Sequence, residues 1–253
     1  MNIYIGTSGW LYNDWVGKFY PEDLKDIDKL TFLSKHFSTV EINSTFYHMP
    51  PPKTFKRWHD VVDSKFRYSV KFSRYITRTK RLVLDDESKP FIKEFLDRTA
   101  LLKSRLEVIL FQLPPSLKFN LKTLEAFLKF ISTYSKQIKL KARFALEFRH
   151  KSWFNEETYS ILKKYNTAFV IGDSSRYPNE RVVTGDTMYI RMHGPGRLFA
   201  SKYSNKQLRE LHDFLVLNKK VKKCFVYFNN DFYGYAVENA EYLKNLSRNS
   251  LKS

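Results

Sequence analysis

The segment ALEFRHKSWF, Ala145 to Phe154, opens with the alternation of a strand and then sets Glu147, Arg149, His150 and Trp153 within seven residues. A charged side chain is almost never fully buried without a partner, and an unpaired one in such a place is strongly destabilising. If Ala145–Phe148 form a strand, either that strand is exposed or Glu147 points into a polar site that other strands share. The surrounding sequence decides between the two.

Short runs rich in β-branched and aromatic residues recur along the chain, most of them followed by a segment of helical period. Strands are expected at Asn2–Gly6, Thr39–Asn43, Arg67–Phe72, Glu107–Gln112, Arg143–Phe148, Thr167–Ile171, Met188–His193 and Cys224–Asn229. Between them, apolar residues fall three or four apart and mark helix faces: Leu24, Ile27, Leu30, Leu33 and Phe37; Phe91, Phe95, Thr99 and Leu102; Leu124, Phe127, Leu128 and Ile131; Leu208, Leu211 and Leu215; Val237, Ala240, Leu243 and Leu246. Shorter helices are expected over Thr54–Val62 and Asn155–Tyr165, and a loop over Asp173–Thr187, which holds Pro178, Gly185 and no helical period. Eight strands alternating with about seven helices point to a (β/α)₈ barrel of the TIM type spanning residues 1–253 as one domain. An open doubly wound sheet is the alternative, but no glycine-rich phosphate loop follows the first strand.

Composition agrees. The 253 residues are 43% hydrophobic and 17% aromatic, ample for a large core. No apolar run approaches the length of a membrane-spanning helix, and the N-terminal MNIYIGTSGW lacks the pattern of a signal peptide. The single cysteine, Cys224, lies in the apolar run CFVYF and reads as a buried thiol of a cytoplasmic protein.

In such barrels the chemistry sits at the C-terminal ends of the strands. Those ends carry Glu41 and Asn43, Lys71, Gln112, Glu147 and Arg149, Asp173, Arg191 and His193, and then Asn229, Asn230 and Asp231. Strand residues two apart share a face. Glu41 with Asn43, Glu147 with Arg149, Arg191 with His193, and Asn229 with Asp231 are such pairs, and their neighbours of opposite parity are mostly apolar. The polar members therefore share the upper lumen, where Glu147 joins Lys71, Arg149 or Arg191. Few polar groups are expected at the lower strand ends.

Near-equal numbers of acidic (Glu41, Glu147, Asp173) and basic (Lys71, Arg149, Arg191) groups suit a polar or anionic small molecule better than a divalent metal, which prefers carboxylates and histidines without competing cations. Lys71, Arg149 and Arg191 are the expected anion binders, with Asn43, Gln112, Asn229 and Asn230 orienting the ligand. Glu147 and Glu41 are candidates for general acid or base, with His193 as the partner of Glu147. His150 and His48 follow strand ends but belong to loops. Trp10, Tyr12, Trp15, Tyr47 and Trp153 lie near the mouth and supply an aromatic wall. No nucleophile elbow, P-loop, dinucleotide fingerprint or zinc-protease motif is present.

The formal charge of +18 raises a second possibility, a nucleic-acid partner. KQIKLKAR (Lys136–Arg143) and KKVKK (Lys219–Lys223) precede strands and belong to the bottom of a barrel as a solvated basic face. SRYITRTKRL (Ser73–Leu82) follows a strand at the top, where Arg74, Arg78, Lys80, Arg81 and Tyr75 form a basic–aromatic patch able to grip phosphates. A scaffold with a purely structural polar core is the third reading.

IGTSGWLYNDWVGKFYP (Ile5–Pro21), VEINSTFYHMP (Val40–Pro50), FRYSVKFSRYIT (Phe66–Thr77), FQLPPSL (Phe111–Leu117), ALEFRHKSW (Ala145–Trp153), YIRMHGP (Tyr189–Pro195) and VYFNND (Val226–Asp231) together resemble the YecE-like family, domain of unknown function seventy-two. The resemblance runs from the first strand to the last and implies a TIM-like barrel. It supplies no reaction. Its recurrent positions fall on Glu41, Asn43, Lys71, Gln112, Glu147, Arg149, Arg191, His193, Asn229 and Asn230. Where the family usually has histidine after Ile-Thr, this chain has Arg78, so a catalytic role at that position does not carry over.

Overall fold

Eight strands close into a parallel barrel: β1 (Asn2–Ser8), β2 (Thr39–Ile42), β3 (Arg67–Lys71), β4 (Leu106–Gln112), β5 (Arg143–Glu147), β6 (Ala168–Asp173), β7 (Thr187–Met192) and β8 (Lys223–Phe228). The computed structural model describes residues 1–218 and 220–249, so Lys219 of the KKVKK run lies outside the described residues. Each strand pairs with the next in sequence, and β8 returns to β1 through the register Ile3↔Cys224 to Thr7↔Phe228. Several strands end one residue earlier than expected, yet Phe72, His193 and Asn229 still donate their N–H to a neighbouring strand, so the discrepancy is one of boundary only.

Seven α-helices cover the barrel among the described residues: α1 (Lys29–His36), α2 (Pro52–Asp60), α3 (Ser88–Ala100), α4 (Leu121–Gln137), α5 (Glu156–Lys164), α6 (Asn205–Leu217) and α7 (Tyr235–Asn249). Asn120 and Asn155 cap α4 and α5 by accepting from Thr123 N and Thr158 N, and Ser204 with Gln207 forms a capping box on α6. The first helix begins later than its apolar spacing suggests: Leu24 and Ile27 precede it, and Ile27 is exposed. Residues 174–186 connect β6 to β7 without a helix, as expected from their composition, and Thr184 pins the connection by donating to Thr167 O and accepting from Phe169 N. None of the described helices is long and apolar enough to cross a membrane. Cys224 is buried, and burial pushes its thiol well above the usual range.

The alternation sorts the strand residues as their parity requires. Val40, Ile42, Val70, Phe72, Ile109, Phe111, Leu146, Phe148, Ile190 and Val226 pack outward against the helices. Tyr4, Val108, Leu110, Ala145, Ala168, Val170, Tyr189, Phe225 and Tyr227 plug the lumen, with Tyr4 stacked on Phe225 at 4.8 Å. Tyr227 Oη joins Thr39 Oγ1 (2.6 Å) and Ser69 Oγ (2.7 Å) across the plug.

The lower end is more polar than the sequence suggests. Glu107 accepts from Arg67 Nε (3.1 Å) and Lys223 Nζ (2.8 Å), while Arg143 makes two bonds to Asp186. Arg143 and Lys223, which end the two lower basic runs, are therefore paired rather than simply solvated. Alternation alone could not reveal this, because Asp186 comes from a connecting segment and an irregularity in the β3–β4 register precedes Ser69.

β1 runs so close to β2 that a Cβ on Gly6 would lie 2.0 Å from Thr39 O, whereas one on Gly172 in β6 would meet nothing within 4 Å. Gly6→Ala is expected to destabilise the protein by about 4 kcal/mol or more, since a backbone must move, and Gly172→Ala to stay within about 0.5 kcal/mol of the parent. Urea denaturation of the two variants checks the contrast.

Candidate functional site

At the top of the lumen, β2, β5 and β7 each bring a charged side chain to one point. Arg191 donates to Glu41 through Nε (3.0 Å) and Nη2 (2.6 Å), and to Glu147 through Nη1 (2.6 Å). Glu41 also accepts from Tyr189 Oη (2.6 Å) and Ser8 Oγ (2.9 Å), and Glu147 from Arg149 Nε (2.9 Å) and Gln112 Nε2 (2.8 Å). All four charged groups are buried. Glu147 is thus a partnered lumen residue, which resolves the alternative posed by its strand.

Burial alone would raise both carboxyls, but the guanidiniums outweigh it. Arg191, with Tyr189 and Lys71, holds Glu41 below the ordinary carboxylate range. Arg149 and Arg191, with His193, hold Glu147 well below it. Two carboxylates and two guanidiniums balance, and each carboxylate oxygen has a partner. His193 is buried beneath Phe199, with ring centroids 5.8 Å apart. Burial, reinforced by Arg191 and Arg149 against the pull of Glu147, lowers its pKa. Asn229 Nδ2 lies 2.9 Å from His193 Nδ1; with the amide donating there, the ring proton falls on Nε2, 3.4 Å from Glu147 Oε1 without hydrogen-bond geometry.

Above this layer lies a cavity of about 460 Å³ lined by Tyr12, Asn43, Tyr47, Lys71, Arg191 and Asn229 together with Phe199, Asp231 and Phe232. Lys71, the last residue of β3, sets its Nζ 4.1 Å from the centre of the Phe46 ring. Its strand end is fixed by Thr45 Oγ1, which donates to Lys71 O (2.7 Å). Burial foremost and then Arg191, against the pull of Glu41 and Glu147, bring the Lys71 amine down to about 7. Asp231 shifts the other way: burial, which Tyr12 and Arg191 only partly offset, raises its carboxyl well above the ordinary range. The side-chain oxygens Asn43 Oδ1 and Asp231 Oδ1 are buried without a hydrogen-bond partner. Phe199, in the left-handed region at φ 64°, is held by its N–H to His193 O (2.7 Å) and accepts from Phe232 N, so that these rings border the cavity.

The structure divides the expected site residues. Lys71, Arg191, Asn43 and Asn229 line the cavity; Glu41, Glu147, Gln112, Arg149 and His193 form the layer beneath or beside it. Asn230 faces the helix layer, donating to Ser201 O and Asn239 Oδ1, as its parity opposite to Asn229 dictates. Asp173 likewise leaves the charge cluster and accepts from Tyr203 Oη (2.7 Å), because the lumen face of β6 at this height belongs to Gly172. Of the expected aromatic wall, Tyr12 and Tyr47 line the cavity. Trp10, Trp15 and Trp153 are buried in the core, the last two donating to Asp231 O and Leu117 O. Phe199 and Phe232 replace them; they come from loops, where no periodicity signals direction. Asp231 was legible by parity with Asn229, but nothing in the sequence announces its shifted carboxyl.

Around the rim, exposed Arg74 stands over Tyr47 (5.9 Å) and Arg78 over Phe46 (5.0 Å), whereas Lys80 is paired with Asp85 (3.0 Å) and Glu87 (2.5 Å). Among the described residues, no group of three or more His, Cys, Asp or Glu side chains is placed to hold a metal ion. The cation between the two buried carboxylates is Arg191 itself.

Residues 4–253 match the family model described as protein of unknown function DUF72. The chain is 26% identical to the UPF0759 protein YunF of Bacillus subtilis over 96% of its own length and 94% of that protein. The solved structure of a DUF72 family protein from Thermotoga maritima is similar at a TM-score of 0.83 and 28% identity, covering 98% of this chain and 100% of the other. A D-psicose 3-epimerase solved in the presence of D-fructose shares the barrel over the full length of both chains at a TM-score of 0.60, but only 12% identity. The match runs from Tyr4 within β1 through β8 and beyond, and the chain belongs to the DUF72 family of proteins of unknown function.

Proposed function

We propose that the cavity at the barrel mouth binds a polar small molecule, anionic or sugar-like, and that Lys71 and Asp231 handle protons for its transformation. One observation carries this reading. The Lys71 ammonium has no hydrogen bond or ion pair among the described residues, and the buried oxygens of Asn43 and Asp231 are unpaired, all around one cavity of about 460 Å³. Each unpaired buried polar group costs about 1–3 kcal/mol, a cost that a ligand with matching donors and acceptors removes.

Two titratable groups whose surroundings move them in opposite directions make an acid–base pair. Lys71, brought down to about 7, serves as the base; Asp231, whose carboxyl burial raises well above the ordinary range, serves as the acid. Arg191, Asn43 and Asn229 orient the ligand. In this reading Glu41, Glu147 and His193 are positioning residues: the two carboxylates are held ionised by the guanidiniums, and His193 lies outside the cavity lining.

A second reading rests on the Arg74–Tyr47 and Arg78–Phe46 stacks, which give the rim the mixture of cations and ring faces that suits single-stranded nucleic acid. Here Arg74, Arg78 and Arg81 would meet phosphates, while Lys80 is already neutralised by two carboxylates.

Three outcomes are expected. In a thermal-shift panel of sugar phosphates, carboxylates, nucleotides and divalent cations, a ligand present at about 100 times its Kd adds about 2.7 kcal/mol, a shift of roughly 5–10 °C. That shift disappears in Lys71→Met; a shift surviving there, or silence across the panel, counts against the pocket. The second outcome concerns pH. Lys71 titrates at about 7 in the fold against 10.5 ordinarily, so between these values the unfolded chain binds the extra proton and the stability contributed by this residue rises with pH. Lys71→Met is therefore more stable than wild type near pH 7, and melting curves converge as pH climbs toward about 10. Third, if the rim binds oligonucleotides, affinity falls steeply with salt and the slope drops by about 1 for each of Arg74, Arg78 and Arg81 replaced by alanine; salt-insensitive or absent binding in a filter assay removes this reading.

A further inference from the structure

Building on the pocket reading above, we infer that Lys71 is an amine nucleophile, forming an imine with the carbonyl carbon of a small hydroxylated aldehyde or ketone held in the mouth cavity. Glu41 and Glu147 are the charged neighbours that would ordinarily hold a lysine as an ammonium, but their oxygens are taken by Arg191, Arg149, Gln112, Tyr189 and Ser8. The side chain ends instead on the face of Phe46, is 9% exposed, and shares its cavity with the Arg191 guanidinium. Desolvation beside a second cation is the setting that favours the neutral, nucleophilic amine.

The cavity also supplies what the addition requires. The Nζ lone pair attacks the carbonyl carbon, a C–N bond forms, and the π electrons move to oxygen, which takes the proton carried by Asp231. Nζ then returns a proton to the Asp231 carboxylate. A second transfer from Asp231 to the hydroxyl lets it depart as water while the nitrogen lone pair closes the C=N bond, and the proton still on nitrogen restores the acid. Amine and carbonyl become imine and water, with no oxidant or reductant consumed. Asn43, whose Oδ1 is unpaired, and Asn229 are placed to meet hydroxyl groups of the compound.

The test is reductive trapping on the intact wild-type chain. Glycolaldehyde and, separately, dihydroxyacetone are added at pH 7 with limiting cyanoborohydride, and modified lysines are quantified by peptide mass spectrometry over time. Lys71 is expected to be modified at least about tenfold faster than the exposed lysines, an advantage that shrinks toward pH 10 as those lysines also lose their protons. Asp231→Asn slows trapping at Lys71 and leaves the exposed lysines unchanged. Modification of Lys71 at or below the rate of exposed lysines overturns the inference. Inorganic phosphate and non-carbonyl sugar phosphates separate the two levels. If they raise the melting temperature of wild type but not of Lys71→Met while no trapping occurs, the pocket stands and the imine falls; if neither effect is seen, both fall.

Discussion

One guanidinium holds the mouth of this barrel together. Arg191 binds Glu41 twice and Glu147 once, joining β2, β5 and β7 across the lumen at a point that water scarcely reaches. Removing one member of such a buried set costs about 3–5 kcal/mol, because the charge left behind stays desolvated. The state of the groups above follows from this arrangement. With both carboxylates committed to guanidiniums, Lys71 makes no ion pair among the described residues and burial lowers its amine, while burial raises the Asp231 carboxyl. A layer of balanced charge thus supports a layer of unbalanced, adjustable groups.

Much of this was legible in the sequence because a strand has only two faces. The alternation around Glu41, Glu147 and Arg191 was enough to send them inward, and the near-continuous apolar partners of opposite parity were enough to require helices outside. The same rule, applied to Asn230 and Asp173, sends both to the helix side. What alternation cannot tell is which inward polar groups satisfy one another. Glu147 and Lys71 look alike as charged strand-end residues, yet one is saturated and the other makes no hydrogen bond or ion pair among the described residues, a difference set by distances between strands far apart in sequence. The loop aromatics escaped for a further reason: Phe199 and Phe232 reach the cavity through a left-handed backbone and a contact between two loops, neither of which has a period to read.

The lumen as a whole is stratified. Glu107 with Arg67 and Lys223 closes the bottom, an aromatic and aliphatic plug fills the middle, and the Arg191 layer floors the cavity at the top. Helix-facing residues are almost uniformly apolar, so the polar groups of the interior are concentrated along the axis. The basic excess of the chain is consequently a property of its outer surface and rim, since the buried charges largely cancel.

The plug has a consequence for traffic. Tyr4, Phe225, Tyr227 and Tyr189 pack ring against ring, with the Glu107 cluster beneath them, so the barrel is blind at its lower end. Whatever enters the cavity leaves by the door it came through, between the loops that carry Tyr47, Phe199 and Phe232. A compound and the product made from it would compete for one passage, and the order in which they come and go would be set by those loops rather than by the strands below.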